Sequence, residues 1–581
     1  MIWKRLQALE KRVHSTDSLD LSPLSSRFAV FWAVVVAFFM TTIALRMTGP
    51  TIHPDEFGFL INGQVLIGRD EAPIPTGSFY PAGFGLVTGL GHLVTGSMSG
   101  AYSFTLLVNV FLACVTAWVA MRLAINGFDA SRRVGLIAGA MVFVFPGTIV
   151  SAMFSWAETA ARLSFLLLVA VVLRAAHTMA RRDILGLGLY VGAMPALHGR
   201  FTLLIPVVGV VILYWLFRKR VTLALAFGSM GLMAMAYGGS YAMNTFIKTA
   251  VYTTSYDQEN RLLRRVIDPS LWPALLRTMV GQTWYLVATS FGLFAVGLLF
   301  MLVRVVAVMR KKRSMDDAES AAFFVIVFGT LAVIFTGGLQ VLYGDRGDHL
   351  IYGRYVEMML PAFLVVACVA YERNILFVQR VLLGSVAFIP LVALMYVVVN
   401  GGDGVKGGFY RNLIVFPNIV GTDFARHVVR PGLITFGFFF MFITFVLWLL
   451  SRWRGSVALL VCVMAVGAGS MYSGDRSIIP RTRVLDGSGQ TVAYASANGA
   501  TNIGFDAGIA NDRAYYTMRF LLHPVSLTML DISSPEAKIP GTLSCAYGWA
   551  DRPPVEPDWK IVTEEQVLGR VLWQRVGTTS C

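Results

Sequence analysis

Charged side chains are scarce in this sequence. Only 14% of the 581 residues are Asp, Glu, Lys or Arg, whereas 56% are hydrophobic. Charged residues make up about a quarter of a typical soluble domain, so this composition argues against a water-soluble protein. Apolar runs long enough to cross a bilayer recur from residue 27 to residue 472. The sequence therefore predicts a polytopic α-helical membrane protein.

The chain also has fewer acidic than basic residues, and it has no phosphate-binding Walker pattern. Its formal net charge of +15 comes from Lys and Arg residues that cluster at the ends of apolar runs. That placement is the usual topology signal of a membrane protein, so we expect no nucleic-acid partner. Without a Walker pattern, ATP is not expected as a substrate.

The distribution of basic residues orients the predicted spans. Counting apolar runs gives about thirteen transmembrane helices, and the basic connections share one side if residues 1–26 are a cytoplasmic tail. Residues 27–472 then form a domain in the inner (plasma) membrane, and residues 473–581 form an extracytoplasmic domain. The sizeable outer connections are 47–100, 244–283 and 400–431, and a short one is 343–355.

Cysteine is rare, with five residues in the whole chain. Cys545 and Cys581 lie in the polar C-terminal region, where an extracytoplasmic location would permit a disulfide; the sequence leaves this pairing open. Strand-like runs at 491–495, 525–530 and 571–576 predict a small α/β or β-rich domain there. We identify no catalytic motif in this region.

Two adjacent acids, Asp55 and Glu56, follow the first apolar run. Pro54 suits the first turn of a helix, where carboxylates are favourable, and the spacing of apolar residues after it predicts an amphipathic helix on the membrane surface. Carboxylates fixed there can accept a proton from a hydroxyl group or bind a divalent cation. Glu158 opens the fourth predicted span and brings another acid to the same face.

Basic residues lie at the same predicted face. Arg200 lies between two short spans, where a charge is costly unless it is paired or used. The short segment 343–355 contains His349 and Arg354 on the side that the positive-inside rule disfavours, so its charges need a local reason. Binding of an anion would supply that reason.

A further basic segment precedes the eighth predicted span. In 260–277, Arg261 and either Arg264 or Arg265 share a face if the segment is helical. Contact with anionic lipid head groups and contact with a phosphorylated substrate explain this pattern equally well.

Several of these stretches, in this order, resemble the GT-C superfamily of membrane glycosyltransferases, near the protein O-mannosyltransferases and the bacterial aminoarabinose transferases. The resemblance covers about residues 30–372 and departs at position 82, where Ala replaces a usual second Pro. Its motifs are Asp55–Glu56, Tyr80–Pro81 before an interfacial helix, Glu158 at a span start, the Gly-rich run 188–206 with Arg200, and Arg354–Tyr355 before Pro361.

This resemblance implies transfer of a sugar from a polyprenyl-phosphate donor to a glycan, glycolipid or protein of the cell envelope. It implies that Asp55 is the general base and that Glu56 positions it or exchanges roles with it. Glu158 would orient the acceptor or bind a divalent cation, as in the metal-dependent branch of the family.

The leaving phosphate requires cations, because stabilisation of developing charge is usually the largest catalytic contribution. The residues expected to contact it are Arg354, His349, Arg261 and Arg265. The residues expected to support the site are His53, Tyr80, Arg200 and Tyr355.

Two alternative functions stay open at this stage. A transporter or flippase of a lipid-linked sugar would hold its substrate near the bilayer midplane, but the predicted spans are nearly free of charge there. An O-antigen ligase or polymerase would also place Arg and His in an outer segment such as 343–355. Such an enzyme would not depend on the acidic pair Asp55–Glu56.

Overall fold

The computed structural model describes twelve stretches of the chain: 23–47, 49–50, 54–68, 79–252, 258–310, 312–342, 351–400, 433–473, 489–508, 512–536, 538–565 and 569–581. Most of these residues are helical, as the composition predicts. In the described part of residues 23–251, the α-helices are α1 Pro23–Arg46, α2 Pro54–Leu66, α3 Gly85–Thr95, α4 Met98–Arg122, α5 Arg132–Val144, α6 Pro146–Ala152, α7 Glu158–Thr178, α8 Arg181–Ala193, α9 Leu204–Phe217 and α10 Leu223–Val251.

From residue 258 onwards, the described stretches contain ten further helices. They are α11 Gln258–Ile267, α12 Trp272–Thr289, α13 Leu293–Met309, α14 Ala318–Gln340, α15 Leu360–Arg373, α16 Ile375–Asn400, α17 Leu433–Trp453, α18 Gly455–Ser473, α19 Gly489–Ala497 and α20 Asp512–Leu522. The strands are β1 Asn502–Asp506, β2 Ser526–Leu530, β3 Cys545–Trp549, β4 Trp559–Glu565 and β5 Arg570–Arg575.

Nine helices in the described stretches are long and apolar enough to cross a membrane, or eleven if each of two bent pairs counts as one span. The expected count of thirteen is therefore not confirmed. The two runs that differ are α8 and α15, with 13 and 14 residues. At a rise of 1.5 Å per residue, such helices reach only about 20 Å, less than the hydrocarbon core of a bilayer. Residues 360–371 of α15 are all buried, so an interior helix has the same apolar composition as a span.

Two short helices, α2 and α3, follow α1 and pack closely against each other. A side chain at Gly63 of α2 would overlap Thr88 of α3, and the Thr88 hydroxyl donates to the Phe59 carbonyl at 2.7 Å. The Asn62 amide donates to the Tyr80 carbonyl at 2.8 Å, which fixes the chain just before α3. This packing holds the N-terminal turn of α2, where Asp55 and Glu56 lie, in a defined position.

The C-terminal region is a small α/β domain with a five-stranded mixed sheet of order β2-β1-β3-β5-β4. Strands β1, β2 and β3 are parallel, whereas β5 is antiparallel to both β3 and β4. A disulfide joins Cys545 of β3 to Cys581, which settles the pairing that the sequence leaves open.

One expected strand in this domain is wrong. Residues 491–495 lie within α19, whereas the strands expected near 525–530 and 571–576 are present as β2 and β5. Thr491 and Ala495 are the buried positions of this segment, and a spacing of four residues is helical. The β-branched and aromatic residues suggested a strand, but the packing of one helical face decided the structure.

The α/β domain packs against the helix that contains the acidic pair. Phe57 of α2 stacks on Tyr516 of α20, with ring centroids 5.1 Å apart, and also contacts Phe520 at 6.0 Å. About two turns further along, the Gln64 amide nitrogen lies 2.7 Å from Nε2 of His523. The domain therefore covers one side of α2 along most of its length.

Candidate active site

Three segments that are far apart in the sequence meet at one ion-pair cluster. Arg354, in the 3₁₀ turn Gly353–Tyr355, pairs through Nη1 with Asp55 at the start of α2. Its Nε and Nη2 atoms each lie 2.5 Å from Oε1 of Glu158, the first residue of α7. The cluster brings together Asp55, Glu158 and Arg354, which the sequence predicts to lie at one face. Their assigned roles stay predictions.

Aromatic side chains fix Arg354 from two directions. The guanidinium carbon lies 4.1 Å from the ring centroid of Trp156, and Trp156 stacks on Phe154 at 4.2 Å. A side chain at Gly353 would overlap the ring of Tyr285, so the backbone before Arg354 can pass this ring only because position 353 is glycine. The turn and the ring stack together leave the arginine little freedom to move.

The Arg354 guanidinium stays charged in this environment. Burial would lower its pKa, but the nearby Asp55 and Glu158 carboxylates outweigh burial and raise the pKa well above the ordinary value for arginine. Glu158 Oε2 is buried and accepts no hydrogen bond from the described residues. One arginine thus serves two carboxylates, and the cluster formally has one excess negative charge.

Glu56 points away from this cluster. Its side chain is buried, and Oε1 accepts a hydrogen bond from the Ser155 backbone N–H at 3.1 Å. The Ser155 hydroxyl in turn donates to the Glu56 carbonyl at 3.3 Å. These contacts attach α2 to the turn that precedes α7. The geometry fits the expectation that Glu56 positions Asp55 better than it fits an exchange of roles.

Tyr80 borders the acidic end of α2. Its ring occupies the space that a side chain at Gly58 would need, and its backbone N–H donates to the Tyr252 hydroxyl at 3.1 Å. Burial, followed by the charge of nearby Asp55, raises the pKa of Tyr80 well above its ordinary value. The phenol is therefore neutral at physiological pH and retains its proton as a hydrogen-bond donor.

Arg200 lies next to the cluster but has neutral partners among the described residues. It donates to Oε1 of Gln340 at 2.5 Å, lies 3.2 Å from His198 Nε2, and stacks on the Tyr355 ring at 3.3 Å. Its Nε is buried, with no hydrogen-bond partner in the described stretches. A half-buried guanidinium whose described partners are neutral is costly, which makes Arg200 a prime candidate to bind an anion.

His198 is the neutral neighbour of this arginine. Burial lowers the pKa of His198 well below its ordinary value, and the charges of Arg200 and Arg354 lower it further. The imidazole is therefore uncharged near pH 7 and can accept a hydrogen bond from Arg200.

Of the other predicted phosphate ligands, Arg265 is the one whose side chain is described. Arg265 Nη1 donates to the Leu339 carbonyl and, at 3.1 Å, to the Gln340 carbonyl, at the C-terminal end of α14. It thereby binds a helix end where positive charge is favourable. His53, His349 and the side chain of Arg261 lie outside the described residues.

A second buried ion pair, which the sequence analysis missed, lies beside the first. Nη2 of Arg162 is 2.9 Å from Oε2 of Glu357. The Tyr285 hydroxyl donates to Oε1 of Glu357, and Arg162 also donates to the Ser151 hydroxyl. The available signal was a charge inside each of two apolar runs, four residues after Glu158 and three after Arg354.

A divalent cation fits the described residues poorly. Within the described stretches, no group of three or more His, Cys, Asp or Glu side chains is arranged to hold a metal. Asp55 and Glu158 could each supply oxygen ligands, but both are bound to Arg354. We therefore derive no catalytic step through a metal ion.

Comparison with known proteins identifies the fold. No protein-family model and no curated protein sequence matches this chain. Solved structures that share the fold include ArnT from Cupriavidus metallidurans, bound to undecaprenyl phosphate and in the apo state. Each has a TM-score of 0.54 and 15% identity, over 95% of this chain and 99% or 98% of the ArnT chain. The membrane fold that the resemblance implies is confirmed.

Proposed function

We propose that this chain is an inner-membrane glycosyltransferase that moves a sugar from a polyprenyl-phosphate carrier to a cell-envelope acceptor. The observation that carries the proposal is the cluster in which Arg354 joins Asp55 to Glu158. It lies in the fold of ArnT, which was solved with undecaprenyl phosphate bound. Acids, a guanidinium and a lipid-binding fold are the components that this reaction requires.

Asp55 is the general base in the proposed reaction. The acceptor hydroxyl attacks the anomeric carbon while the bond from that carbon to the phosphate oxygen breaks. The acceptor proton passes to the Asp55 carboxylate, and the carrier leaves as polyprenyl phosphate with the bonding electron pair. Asp55 is suited to this role because its side chain is 17% exposed, whereas that of Glu158 is 6% exposed. A base must be reachable by the acceptor.

Arg200 and Arg354 bind the carrier phosphate in this scheme. Arg354 already shares its charge between two carboxylates, whereas Arg200 has neutral partners in the described stretches. Arg200 therefore offers the larger uncompensated attraction to a phosphate, and preorganised positive charge stabilises the leaving group. His349, Arg261 and Arg265 are further candidate ligands that follow from the sequence.

The proposed location of the site is the extracytoplasmic face of the membrane. The disulfide between Cys545 and Cys581 supports this orientation, because disulfides persist in oxidising compartments. The α/β domain that contains this disulfide packs on α2, so the domain and Asp55 lie on the same side. A lipid-linked donor suits a face that has no nucleotide supply.

A strain that lacks the gene tests the proposed function, and it also supplies the lipid donor and the envelope acceptor for an assay. We expect its lipid extract to accumulate a polyprenyl-phosphate-linked sugar, and its envelope fraction to lack the corresponding linkage. Purified wild-type protein should transfer that sugar from the extracted lipid to the envelope fraction. Asp55→Asn should abolish transfer, whereas Asp183→Asn, which alters an acid paired with Arg174 at 2.9 Å, should not.

Two outcomes would favour the alternative functions. Full activity of both Asp55→Asn and Glu56→Gln would favour a ligase or polymerase that does not use the acidic pair. Movement of the labelled lipid-linked sugar across liposomes by the purified protein, without any transfer product, would favour a flippase. Either result would overturn the proposed function.

A further inference from the structure

Helix α7 and the segment that contains Arg354 are joined by two ion pairs of opposite polarity. Along α7 an acid, Glu158, precedes a base, Arg162, by four residues. Along the other segment a base, Arg354, precedes an acid, Glu357, by three. Glu158 pairs with Arg354 at 2.5 Å, and Arg162 pairs with Glu357 at 2.9 Å. A shift of one segment along the other would bring like charges together and break both pairs.

The Arg162–Glu357 pair is buried and well supplied with hydrogen bonds. Arg162 is 3% exposed and Glu357 1%. The Tyr285 hydroxyl donates to the carboxylate, and Arg162 donates to the Ser151 hydroxyl. A cavity of about 10 Å³ beside the pair is close to the size of one water molecule.

Tyr285 connects this pair to the arginine of the proposed active site. Its ring packs on Gly353, directly before Arg354, while its hydroxyl binds Glu357, three residues after Arg354. The turn that presents Arg354 is therefore fixed on both sides by one side chain. Arg162 also interacts electrostatically with Glu158. Tyr285 and Glu357 act on the cluster through the turn that presents Arg354.

Stability alone does not account for such a pair. Removing two charges from water costs several kcal/mol per ion, and packed apolar residues of similar volume are often equally stable or more so. What an apolar pair cannot supply is a preference for one register, because dispersion contacts do not distinguish polarity. Buried polar pairs are known to specify register in helical assemblies.

We propose that Arg162, Glu357 and Tyr285 are positioning residues that set the register of residues 353–359 on α7, so that Arg354 reaches both Asp55 and Glu158. This inference rests on the proposed glycosyl transfer and assigns residues to it that neither the motifs nor the fold comparison indicates. Misplacement of a catalytic group by about 1 Å can reduce a rate by about 100-fold. Contacts that fix the register of residues 353–359 are therefore sufficient to affect the rate of transfer.

The decisive variant replaces both charges together, as Arg162→Met with Glu357→Leu. We expect its thermal midpoint in detergent to stay near that of the wild type, because packed apolar residues can replace a buried ion pair. The maximal rate of transfer from the extracted lipid donor, per folded protein, should fall by at least about tenfold. A purely structural role would lower the thermal midpoint and leave the rate of the folded fraction unchanged.

A matched control removes a buried charge at another ion pair. Arg304 lies 2.8 Å from Glu319, and Glu319 keeps Arg373 at 2.5 Å when Arg304 is replaced. Arg304→Met should therefore retain the wild-type rate. A loss of rate as large as that of the apolar pair would overturn the inference, because it would show a general sensitivity to buried charge.

Tyr285→Phe keeps the proposal testable if the apolar pair fails to fold. It retains the ring against Gly353 and removes only the hydrogen bond to Glu357. We expect a maximal rate about threefold to tenfold lower in a protein with the thermal midpoint of the wild type. A wild-type rate for this variant or for the folded apolar pair overturns the inference alone. Absence of transfer by the wild-type chain overturns the proposed function and this inference with it.

Discussion

Replacement of the proposed base should strengthen binding of the carrier. In the structure Arg354 Nη1 is occupied by Asp55, so a carrier phosphate that binds this atom must displace the Asp55 carboxylate. Asp55→Asn removes that competing charge and keeps the side-chain volume. We therefore expect this variant to lose sugar transfer and to bind undecaprenyl phosphate more tightly than the wild type. A loss of catalysis through misfolding would weaken both properties.

The size of the effect follows from the exposure of the pair. A hydrogen bond to a charged group contributes about 1.5–3 kcal/mol. The Asp55 side chain is 17% exposed and that of Arg354 is 10% exposed, so solvent screening reduces this to about 1–2 kcal/mol. At about 1.4 kcal/mol per tenfold change, the Kd for undecaprenyl phosphate should fall by about 5- to 30-fold.

A double-mutant cycle separates direct competition from general electrostatics. The Kd for undecaprenyl phosphate is measured at fixed ionic strength for the wild type, Asp55→Asn, Arg354→Gln and the double variant, with Asp183→Asn as a control. If Asp55 acts through Arg354, the gain from Asp55→Asn should largely disappear in the Arg354→Gln background. An equal gain in affinity in both backgrounds would refute the claim that Asp55 and the carrier phosphate compete for Arg354. The same conclusion would follow if Asp55→Asn bound the carrier no more tightly than the wild type.

Three further predictions concern charge and cross-linking. Arg200→Gln should raise the Kd for undecaprenyl phosphate about tenfold, measured as above, whereas Arg452→Gln, which removes an arginine stacked on an aromatic ring elsewhere, should not. Because the pKa of His198 is lowered in the folded protein, His198 is protonated at a higher pH in the unfolded chain than in the folded one. Thermal stability should therefore fall as the pH drops below about 6.5, and His198→Phe should flatten this pH dependence. Reduction of the Cys545–Cys581 disulfide, which closes 36 residues, should lower the stability of the α/β domain by about 3–4 kcal/mol in denaturant titrations.

The sequence predicted which residues belong to the cluster, but it did not predict which of them form ion pairs. Asp55, Glu158 and Arg354 were recognisable because each is a charge at the end of an apolar run, where burial without a partner is costly. The same argument applies to Arg162 and Glu357. Each lies about one turn from a residue of the cluster, Glu158 or Arg354, so the local sequence does not separate the two pairs. Their pairing depends on the relative register of α7 and residues 353–359, and neither segment contains a local signal for that register.

The number of spans stays unconfirmed for a different reason. α15 was expected to cross the membrane, yet its 14 residues are enclosed by other helices along nearly their whole length. Hydropathy measures whether a segment avoids water, and a helix inside a large bundle avoids water as completely as one in lipid. The bend of 114° between α12 and α13, at Gly292 with φ +82°, is likewise invisible in a run that is apolar throughout.

The position of Asp55 is set by contacts that no local pattern contains. On one side, Glu56 binds the Ser155 amide, 99 residues away in the sequence. On the other side, Phe57 packs on Tyr516 of the α/β domain, and Gln64 reaches His523, 459 residues away. Residues 55, 56 and 57 are consecutive on α2, so a small rotation of this helix would move the proposed base away from Arg354. The α/β domain therefore belongs to the structural basis of the site, although it contributes no residue to the ion-pair cluster itself.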